Sequence, residues 1–405
     1  MPTTERLYYT DSHLTQFEAR VTSATESVSG WCAVTLDRTA FYPTGGGQPS
    51  DTGTLNSTPV VECIEQEEGD VLHVLQGRAP QVGSLVTGRV DWERRRDHIQ
   101  QHTGQHILSQ ALIALYGAET RSFRMMEAAS EIDVALTDPT DERVERAIEL
   151  SNTIIWEDRP IHVRQVSAEE AARLPLRKDS AREGELRIIE IENFDLSPCG
   201  GTHARRTGEV GLIAARHWER AKGLVRIEFV AGRRALSDYV RANSTARRVA
   251  ALFSVARDEA PSSVARLLEE NKQLMRRLRT LGEEAARAEG AALVKDSAAR
   301  EDGTRLIART FDGRDGEALK HLALSVISHP QTIALLGSRD GQTARLIFAR
   351  SADAAGDMNA LMREACSLIG GRGGGRPEMA QGGGPLVQRL DDAIQAAARS
   401  LSPDQ

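Results

Sequence analysis

Two short segments far apart in the chain carry side chains in zinc-ligand spacing: His102 and His106 in one, Cys199 and His203 in the other. The first pair lies in a stretch whose apolar residues recur at helical spacing, so its imidazoles share one face of a helix. The second pair encloses two glycines and follows Pro198, a composition typical of a turn. Since a thiolate with imidazoles suits zinc better than magnesium or calcium, the pattern predicts a zinc-dependent hydrolase.

Each half of this pattern also has an ordinary structural explanation. A helical His-x-x-x-His is more often a solvated or hydrogen-bonded pair, and Cys-x-x-x-His alone is no more specific. Thr103 follows His102 where metalloproteases carry glutamate, which excludes their His-Glu-x-x-His helix. Four ligands would close a tetrahedral site of the structural kind, so a catalytic and a structural zinc both stay open.

Several longer motifs resemble one protein family. Residues 197–203, followed by 207–211, resemble the second zinc motif of alanyl-tRNA synthetase editing domains. Residues 39–48, continued by Asp51-Thr52-Gly53, are similar to the glycine-rich motif of the same proteins. Residues 370–384 resemble their C-terminal glycine-rich domain, which also occurs on phosphodiesterases whose paired Asp and His motifs are not evident here.

The order of these motifs implies a particular member of the family. Residues 7–12 open the chain as they open the free-standing AlaX-type editing proteins, and the glycine-rich tail is similar to that of the long AlaX form. We expect no aminoacylation module ahead of the editing region. The resemblance therefore implies a protein that deacylates tRNA and does not charge it.

The resemblance also implies a substrate and a pocket. The substrate is a serine ester wrongly attached to the terminal ribose of alanine tRNA, and Zn²⁺ is the implied cofactor. Thr39 and Gln48 are the implied catalytic residues. Thr39 would bind the serine hydroxyl, which the alanine ester lacks. This second selection step is useful because synthetases reject an added hydroxyl only weakly. The implied pocket comprises Thr39, Phe41, Gly45, Gly46, Gly47, Gln48 and Thr103.

Two alternatives accompany this interpretation. Thr39 is also explained as a threonine chosen for strand propensity. The whole chain is also explained as a non-catalytic tRNA-binding protein with a structural zinc.

Residues 120–126 depart from the family, since related proteins carry a Phe-His-Leu-Gly-like stretch there. Pocket shape is expected to differ accordingly, and a glycine ester is a second expected substrate.

Composition is consistent with an intracellular enzyme of several domains. The 405 residues exceed one ordinary core, and 40% hydrophobic content permits buried ones. The first residues lack a signal-like apolar stretch and no run is long enough to span a membrane, so we expect a cytoplasmic protein. The four cysteines show no disulfide framework, which leaves Cys199 available as a thiolate: Cys32, Cys63, Cys199 and Cys366.

The net charge of −7 hides a local excess of basic residues. Residues 216–248 contain nine Lys or Arg against three acids, which favours phosphate contact and salt-dependent binding. A solvated surface explains the same count. We expect tRNA contacts from four residues of this segment and from the two arginines of the glycine run. They are Arg220, Lys222, Arg233 and Arg234, with Arg372 and Arg376.

Hydrophobic patterning predicts an α+β chain of four parts. Residues 1–90 alternate like strands and predict a small β-barrel; 91–245 mix helices and strands as a zinc-binding editing core. Residues 299–405 predict an α/β domain whose glycine run permits close backbone approach to a ligand. That run lacks the Gly-Lys-Ser/Thr ending of a P-loop, so nucleotide triphosphate hydrolysis is not expected. The family resemblance implies that this last domain contacts tRNA at the outer corner of the L-shape.

The segment 246–298 predicts a helical connector. Its heptad positions favour a coiled-coil arm or a homodimer seam over 264–285, although a connector packing within one chain fits as well, and the C-terminal domain is a second expected dimer surface. Those positions are Val264, Leu267, Asn271, Leu274, Leu278, Leu281 and Ala285.

Overall fold

The chain divides into two compact units, Met1–Val249 and Ala250–Gln405. The computed structural model describes residues 4–26, 30–67, 69–177 and 185–401. Within these ranges, no helix is both long and apolar enough to cross a membrane. The expected α+β class is confirmed, while the division into four domains stays a prediction.

A closed barrel forms the N-terminal part of the first unit. Its strands pair in the order β2-β3-β7-β6-β5-β8, and β8 returns to β2 to close the circle. Alternate residues point inward, so Val71, His73 and Leu75 on one strand are fully buried. The predicted barrel is thereby confirmed. The strands of this region are β1 Glu5–Arg6, β2 Gln16–Glu26, β3 Trp31–Leu36, β4 Arg38–Thr39, β5 Gly53–Leu55, β6 Thr58–Glu65, β7 Val71–Gln76 and β8 Leu85–Val90.

The rest of the first unit wraps helices and two antiparallel sheets around one long helix. The sheets run in the orders β14-β15-β10-β9 and β11-β12-β13. Their elements are α1 Trp92–Tyr116, β9 Thr120–Met125, β10 Ser130–Val134, α2 Asp141–Trp156, β11 Ile161–Val166, α3 Ala168–Ala171, β12 Leu186–Ile191, β13 Asp195–Pro198, β14 Ile213–Ala221, β15 Leu224–Ala231 and α4 Gly232–Leu252.

Helix α1 begins before its apolar stripe suggests, because Asp91 caps its N-terminus. The Asp91 side chain accepts hydrogen bonds from the backbone N–H of Glu93 and Arg94. The helix ends at Gly117, whose left-handed φ of 63° lets its N–H bond the Ile113 carbonyl. Most of α1 is buried, polar positions included. A helix covered on nearly all sides can hold its side chains in a fixed place.

One fully buried ion pair joins α1 to the glycine-rich motif. Arg95 binds both carboxylate oxygens of Asp51 through Nε at 3.1 Å, and its Nη1 and Nη2 donate to the carbonyls of Ser12 and Ala40. Asp51 also accepts from the Tyr42 N–H at 2.6 Å. Both charged side chains are inaccessible to solvent. The motif is therefore bound to the helix by charge and hydrogen bonds together.

The second unit contains a five-stranded mixed sheet with helices on it. The strand order is β16-β17-β18-β20-β19; β16 and β17 are parallel and the remaining pairs antiparallel. The elements are α5 Ala260–Asp296, β16 Arg305–Asp312, α6 Gly316–Ile327, β17 Thr332–Asp340, β18 Thr343–Arg350, α7 Met358–Leu368, β19 Arg372–Arg376, β20 Met379–Gly384 and α8 Leu390–Ser400.

The C-terminal glycine run forms two strands of this sheet. A Cβ on Gly373 would lie 2.7 Å from Cys366 Sγ, and one on Gly382 would lie 2.4 Å from it. Glycine at these positions therefore lets α7 pack closely on β19 and β20, a packing role that the expected approach to a ligand did not include. Arg372 and Arg376 lie at the exposed ends of β19. Their contact with tRNA stays a prediction.

The predicted connector is largely one helix, α5. Its heptad leucines are half exposed or more in the single chain: Leu267, Leu274, Leu278 and Leu281. Packing within one chain thus leaves much of this stripe uncovered. A homodimer through 264–285 stays a prediction.

Candidate metal centre

The structure brings the four predicted ligands into one cluster. His102 and His106 project from successive turns of α1, Cys199 follows β13, and His203 lies in the next turn. Their ligand atoms all lie within 4.8 Å of one another. Cys199 Sγ is 3.3 Å from Nε2 of both His102 and His203. Tetrahedral zinc places such ligand atoms roughly 3.3–3.6 Å apart, so the donor set and its spacing fit zinc.

Oxygen atoms behind the cluster orient each imidazole. The Nδ1 contacts are Gln48 Oε1 at 2.6 Å from His102, Asp195 Oδ2 at 3.2 Å from His106, and Thr103 Oγ1 at 3.4 Å from His203. An amide oxygen and a carboxylate can only accept, so Nδ1 carries the proton in His102 and His106. The Nε2 lone pair of each then remains available for a metal, which is the usual arrangement of metal-binding histidines.

Asp195 belongs to a buried charge network. Its carboxylate accepts from Arg177 Nε at 2.7 Å and from Ser197 Oγ at 2.6 Å. Burial raises the pKa of Asp195, but hydrogen bonds from His106 and the charge of Arg177 outweigh it and lower the pKa to about 2. The carboxylate therefore stays ionised and holds the His106 ring by a charge-assisted hydrogen bond.

The pKa values of Cys199 and His203 are shifted towards the forms that bind metal. Burial raises the pKa of the Cys199 thiol, yet the surrounding imidazoles outweigh burial and set the pKa well below its usual value. Burial lowers the pKa of His203 well below its ordinary value, which favours the neutral ring. A thiolate and neutral imidazoles are the forms in which these side chains coordinate a cation.

The turn that carries Cys199 requires glycine at one of its two glycine positions. A Cβ on Gly201 would lie 2.2 Å from Cε1 of His102. A Cβ on the neighbouring Gly200 would meet nothing nearer than the Tyr9 hydroxyl, at 3.4 Å. Arg187 Nη1 holds the same turn by donating to the Cys199 and Gly201 carbonyls at 2.8 and 2.9 Å.

The cluster lies in the wall of a cavity of about 710 Å³, a volume typical of small-molecule sites. Four parts of the chain surround the cavity. They are the N-terminal segment with its tyrosines, the glycine-rich turn, strand β9 and the turn that carries Cys199, called the ligand turn below. Its lining includes Tyr8, Tyr9, Tyr42, Gly45, Gly46, His102, His106, Thr120, Arg121, Ser122, Phe123, Arg187, Cys199 and Gly201.

Three family models match parts of the chain. They are tRNA synthetases class II (A) over residues 2–94, the threonyl and alanyl tRNA synthetase second additional domain over 186–228, and the DHHA1 domain over 303–402. The alanyl-tRNA editing protein AlaX-L of Pyrococcus horikoshii is 32% identical over 392 residues, which cover 93% of this chain and 94% of that protein. The chain belongs to the family of alanyl-tRNA editing proteins.

Full-length ligases also match. The alanine–tRNA ligase of Methanoregula boonei is 33% identical over 97% of this chain, and that of Pyrobaculum neutrophilum is 33% identical over 98%. The chain spans only 43% and 44% of these two ligases. A solved structure, the C-Ala domain from Aquifex aeolicus alanyl-tRNA synthetase, aligns with 24% of this chain and 92% of its own, with 24% identity and a TM-score of 0.24.

The residues expected to line the editing pocket fall into three groups. Gly45 and Gly46 line the cavity. Gln48 and Thr103 lie behind the ligands as hydrogen-bond partners of His102 and His203. The remaining three, Thr39, Phe41 and Gly47, are outside the lining drawn from the described residues. For Gly47 the φ of +81° and the close Phe123 carbonyl explain the glycine.

Thr39 and Phe41 point into the barrel. The Thr39 hydroxyl is fully buried, lies 2.7 Å from Nε2 of His73 and accepts from the Phe41 N–H at 3.1 Å. The Phe41 ring packs edge-on against Phe17 and His73. The sequence motif shows that these residues are close in the chain to the glycine turn, but not that their side chains face the barrel.

Three residues that the sequence argument overlooked belong to this site. Asp195 and Ser197 precede Cys199 on β13 and brace His106 from behind. Arg187 lies on β12 between apolar neighbours and is almost fully buried. The arginine between the apolar residues Leu186 and Ile188 was the available signal, since arginine is rarely buried without a partner.

The predicted basic patch is partly neutralised. Carboxylates pair with several of its arginines: Glu228 with Arg216, Asp133 with Arg226, Glu93 with Arg233, and Asp97 with Arg234. Arg220 and Lys222 are exposed where β14 turns into β15. The local excess of charge counted along the chain is therefore smaller in three dimensions, and tRNA contact by these residues stays a prediction.

Replacing Asp195 by asparagine is expected to weaken zinc affinity about 10- to 100-fold, the usual effect of losing a carboxylate behind a metal-binding histidine. The amide removes the charge that holds the His106 ring. Competition with a chromophoric zinc chelator measures the affinity. Asp133→Asn is the matched control, because Asp133 also pairs with an arginine but lies away from the cluster. Equal affinities in the two variants would show that Asp195 does not position His106.

Proposed function

We propose that this chain hydrolyses the ester that links serine to the terminal ribose of alanine tRNA, with zinc held by His102, His106, Cys199 and His203, and spares the alanine ester. The observation that carries the proposal is the buried thiolate–imidazole cluster in the wall of a cavity large enough for a terminal nucleoside. The cavity belongs to a chain of the alanyl-tRNA editing family. A glycine ester is the proposed second substrate.

The protein's own residues give this reaction its geometry. When bound, zinc supplies Lewis acidity towards an ester carbonyl or a nucleophilic water. Gln48 and Asp195 hold the rings of His102 and His106 in one orientation, so little reorganisation is needed during the reaction. The lining includes the aromatic side chains of three tyrosines and Phe123. Thr39 is not part of the proposed pocket, because its hydroxyl is already bonded to His73.

Hydrolysis of three aminoacyl tRNAs tests the proposal. With alanine tRNA carrying serine, glycine or alanine, the zinc-loaded protein is expected to release serine fastest, then glycine, and to leave alanine attached. Removal of the metal by a chelator is expected to stop release, and added zinc to restore it. Thr39→Val, measured in parallel, is expected to keep the serine preference, since the threonine hydroxyl faces the barrel.

Three outcomes would contradict parts of this proposal. Tight tRNA binding without release of any amino acid, while the metal-free protein unfolds, would indicate a non-catalytic tRNA-binding protein with a structural zinc. Equal release of serine and alanine would refute the proposed specificity and leave the hydrolase. Loss of serine preference in Thr39→Val would return Thr39 to the pocket.

A further inference from the structure

Arg187 places a positive charge in the cavity wall, and it forms no ion pair within the part of the chain that the structure describes. The residue is 8% exposed and its side chain lines the cavity. Its Nε donates to the Tyr9 carbonyl at 3.0 Å, and Nη1 donates to the carbonyls of the ligand turn. Nη2 is buried and has no hydrogen-bond partner among the described residues. Three neutral carbonyls fix the guanidinium without neutralising it.

The other arginines of the cavity differ in this respect. Arg6 pairs with Glu65 at 2.7 Å, Arg177 with Asp195 at 2.7 Å, and Arg121 with Glu119 at 2.8 Å. A buried charge without a counter-charge is costly, so its retention in a cavity wall points to an anion from outside the chain. The Cys199 thiolate, which lines the same cavity, is committed to the imidazole cluster.

Tyr8 adds a second unsatisfied group to the same wall. Its hydroxyl is buried and finds no hydrogen-bond partner in the described ranges of the chain, and Tyr8 also lines the cavity. Its ring packs edge-on against Tyr9, whose carbonyl Arg187 holds. A buried water could satisfy either group, but it would not balance the charge of the guanidinium. An anion with several acceptor oxygens satisfies both requirements.

We propose that Arg187, with the Tyr8 hydroxyl, forms a phosphate subsite that binds the phosphodiester group of the tRNA's terminal nucleotide. This inference rests on the proposed function and specifies how its substrate is held. The amino group of the aminoacyl ester is a cation and its carbonyl is neutral, so the phosphodiester is the anion that the terminal nucleotide offers. Arginine matches phosphate oxygens through paired N–H groups. Arg187 also donates hydrogen bonds to the Cys199 and Gly201 carbonyls, so the bound phosphate and the metal ligands would be held at a fixed spacing.

Two minimal esters test the subsite directly. The substrates are 2′(3′)-O-seryl adenosine with and without a 5′-phosphate, and the competitors are AMP and adenosine. The native protein is expected to show a KM about 10- to 100-fold lower for the phosphorylated ester, and a similar preference for AMP. Arg187→Gln is expected to abolish both preferences, by raising KM for the phosphorylated ester and weakening AMP binding. Arg187→Lys is expected to retain part of each preference.

Arg121→Gln is the matched control, since Arg121 lines the same cavity but is paired and exposed; it is expected to keep the phosphate preference. Three results overturn the proposal. In the first, the native protein shows no preference for the 5′-phosphate. In the second, kcat falls equally on both esters in Arg187→Gln. In the third, Arg187→Gln loses zinc while Arg187→Lys keeps the full phosphate preference. The second result assigns Arg187 to the reacting ester, and the third assigns it to holding the turn.

The AMP and adenosine affinities distinguish a failure of the phosphate subsite from a failure of the proposed hydrolysis. AMP and adenosine affinities need no hydrolysis, and they are measured on the native protein even where Arg187→Gln does not fold. An intact, Arg187-dependent preference for AMP without ester hydrolysis would refute the hydrolase and leave the phosphate subsite. Hydrolysis without any preference for AMP would refute the subsite alone.

Discussion

Gly201→Ala is expected to lower zinc affinity by at least about 100-fold and to abolish ester hydrolysis, because the added methyl group occupies the space of a metal ligand. The new Cβ would lie 2.2 Å from Cε1 of His102, closer than van der Waals contact allows. The ring is buried and bonded to Gln48, so it cannot yield without losing its orientation. Losing a ligand costs more than losing a residue behind it, which typically costs 10- to 100-fold in metal affinity.

Gly200→Ala is the control for this prediction. It adds the same methyl group one residue earlier, where the nearest atom is the Tyr9 hydroxyl at 3.4 Å. Zinc affinity by chelator competition and release of serine from alanine tRNA are measured for both variants. We expect Gly200→Ala to stay within a few-fold of native. Native zinc affinity in Gly201→Ala would show that the turn and the His102 ring adjust together, and that His102 is not held as the structure shows.

Asp51→Ala is expected to destabilise the first unit by about 3–5 kcal/mol, the usual cost of removing one partner from a buried ion pair. Arg95 would keep its charge inside the protein with only the Ser12 and Ala40 carbonyls as partners. Tyr42 would also lose an acceptor for its N–H. Because the chain has two units, global unfolding need not be two-state. Hydrogen exchange of the amides of β5, β8 and α1 measures the opening free energy of this unit by itself.

Glu149→Ala is the corresponding control. Glu149 pairs with Arg146 on the surface of α2, and both side chains are 68% exposed. Such surface pairs contribute little, so this change is expected to alter the opening free energy by less than about 1 kcal/mol. If Asp51→Ala also altered it by less than about 1 kcal/mol, the Arg95–Asp51 pair would not be a principal link between the glycine-rich motif and α1.

Residues of the glycine-rich motif make contacts that the sequence did not predict. The glycine-rich motif was expected to line a pocket, and Gly45 and Gly46 do so. Asp51 instead anchors the motif to α1, and Gln48 holds a metal ligand from behind. Both act through buried hydrogen bonds to residues far along the chain. A motif in a single sequence shows that residues occur together, but not which of them touch the substrate.

Local patterns were sufficient for several elements and for the clustering of the four candidate metal ligands. The apolar spacing around His102 and His106 predicted a helix, and α1 is that helix. Alternation along residues 71–75 predicted a strand, and it lies in the closed barrel. The glycines between Cys199 and His203 predicted a turn that brings the two ligands together. These outcomes depend on backbone geometry over a few residues, and therefore a sequence window contains the information.

Only the tertiary structure decided what surrounds the ligands. Three features depend on residues distant in the chain. Asp195 braces His106, Thr39 faces His73 inside the barrel, and Arg187 has no ion-pair partner among the residues that the structure describes. The basic patch shows the same limit, because Glu93 and Asp97 neutralise arginines more than a hundred positions away. The sequence by itself determined which side chains share a helix face, a strand or a turn. Burial and charge compensation were decided by the fold, because both depend on which distant side chains come within a few ångströms of one another.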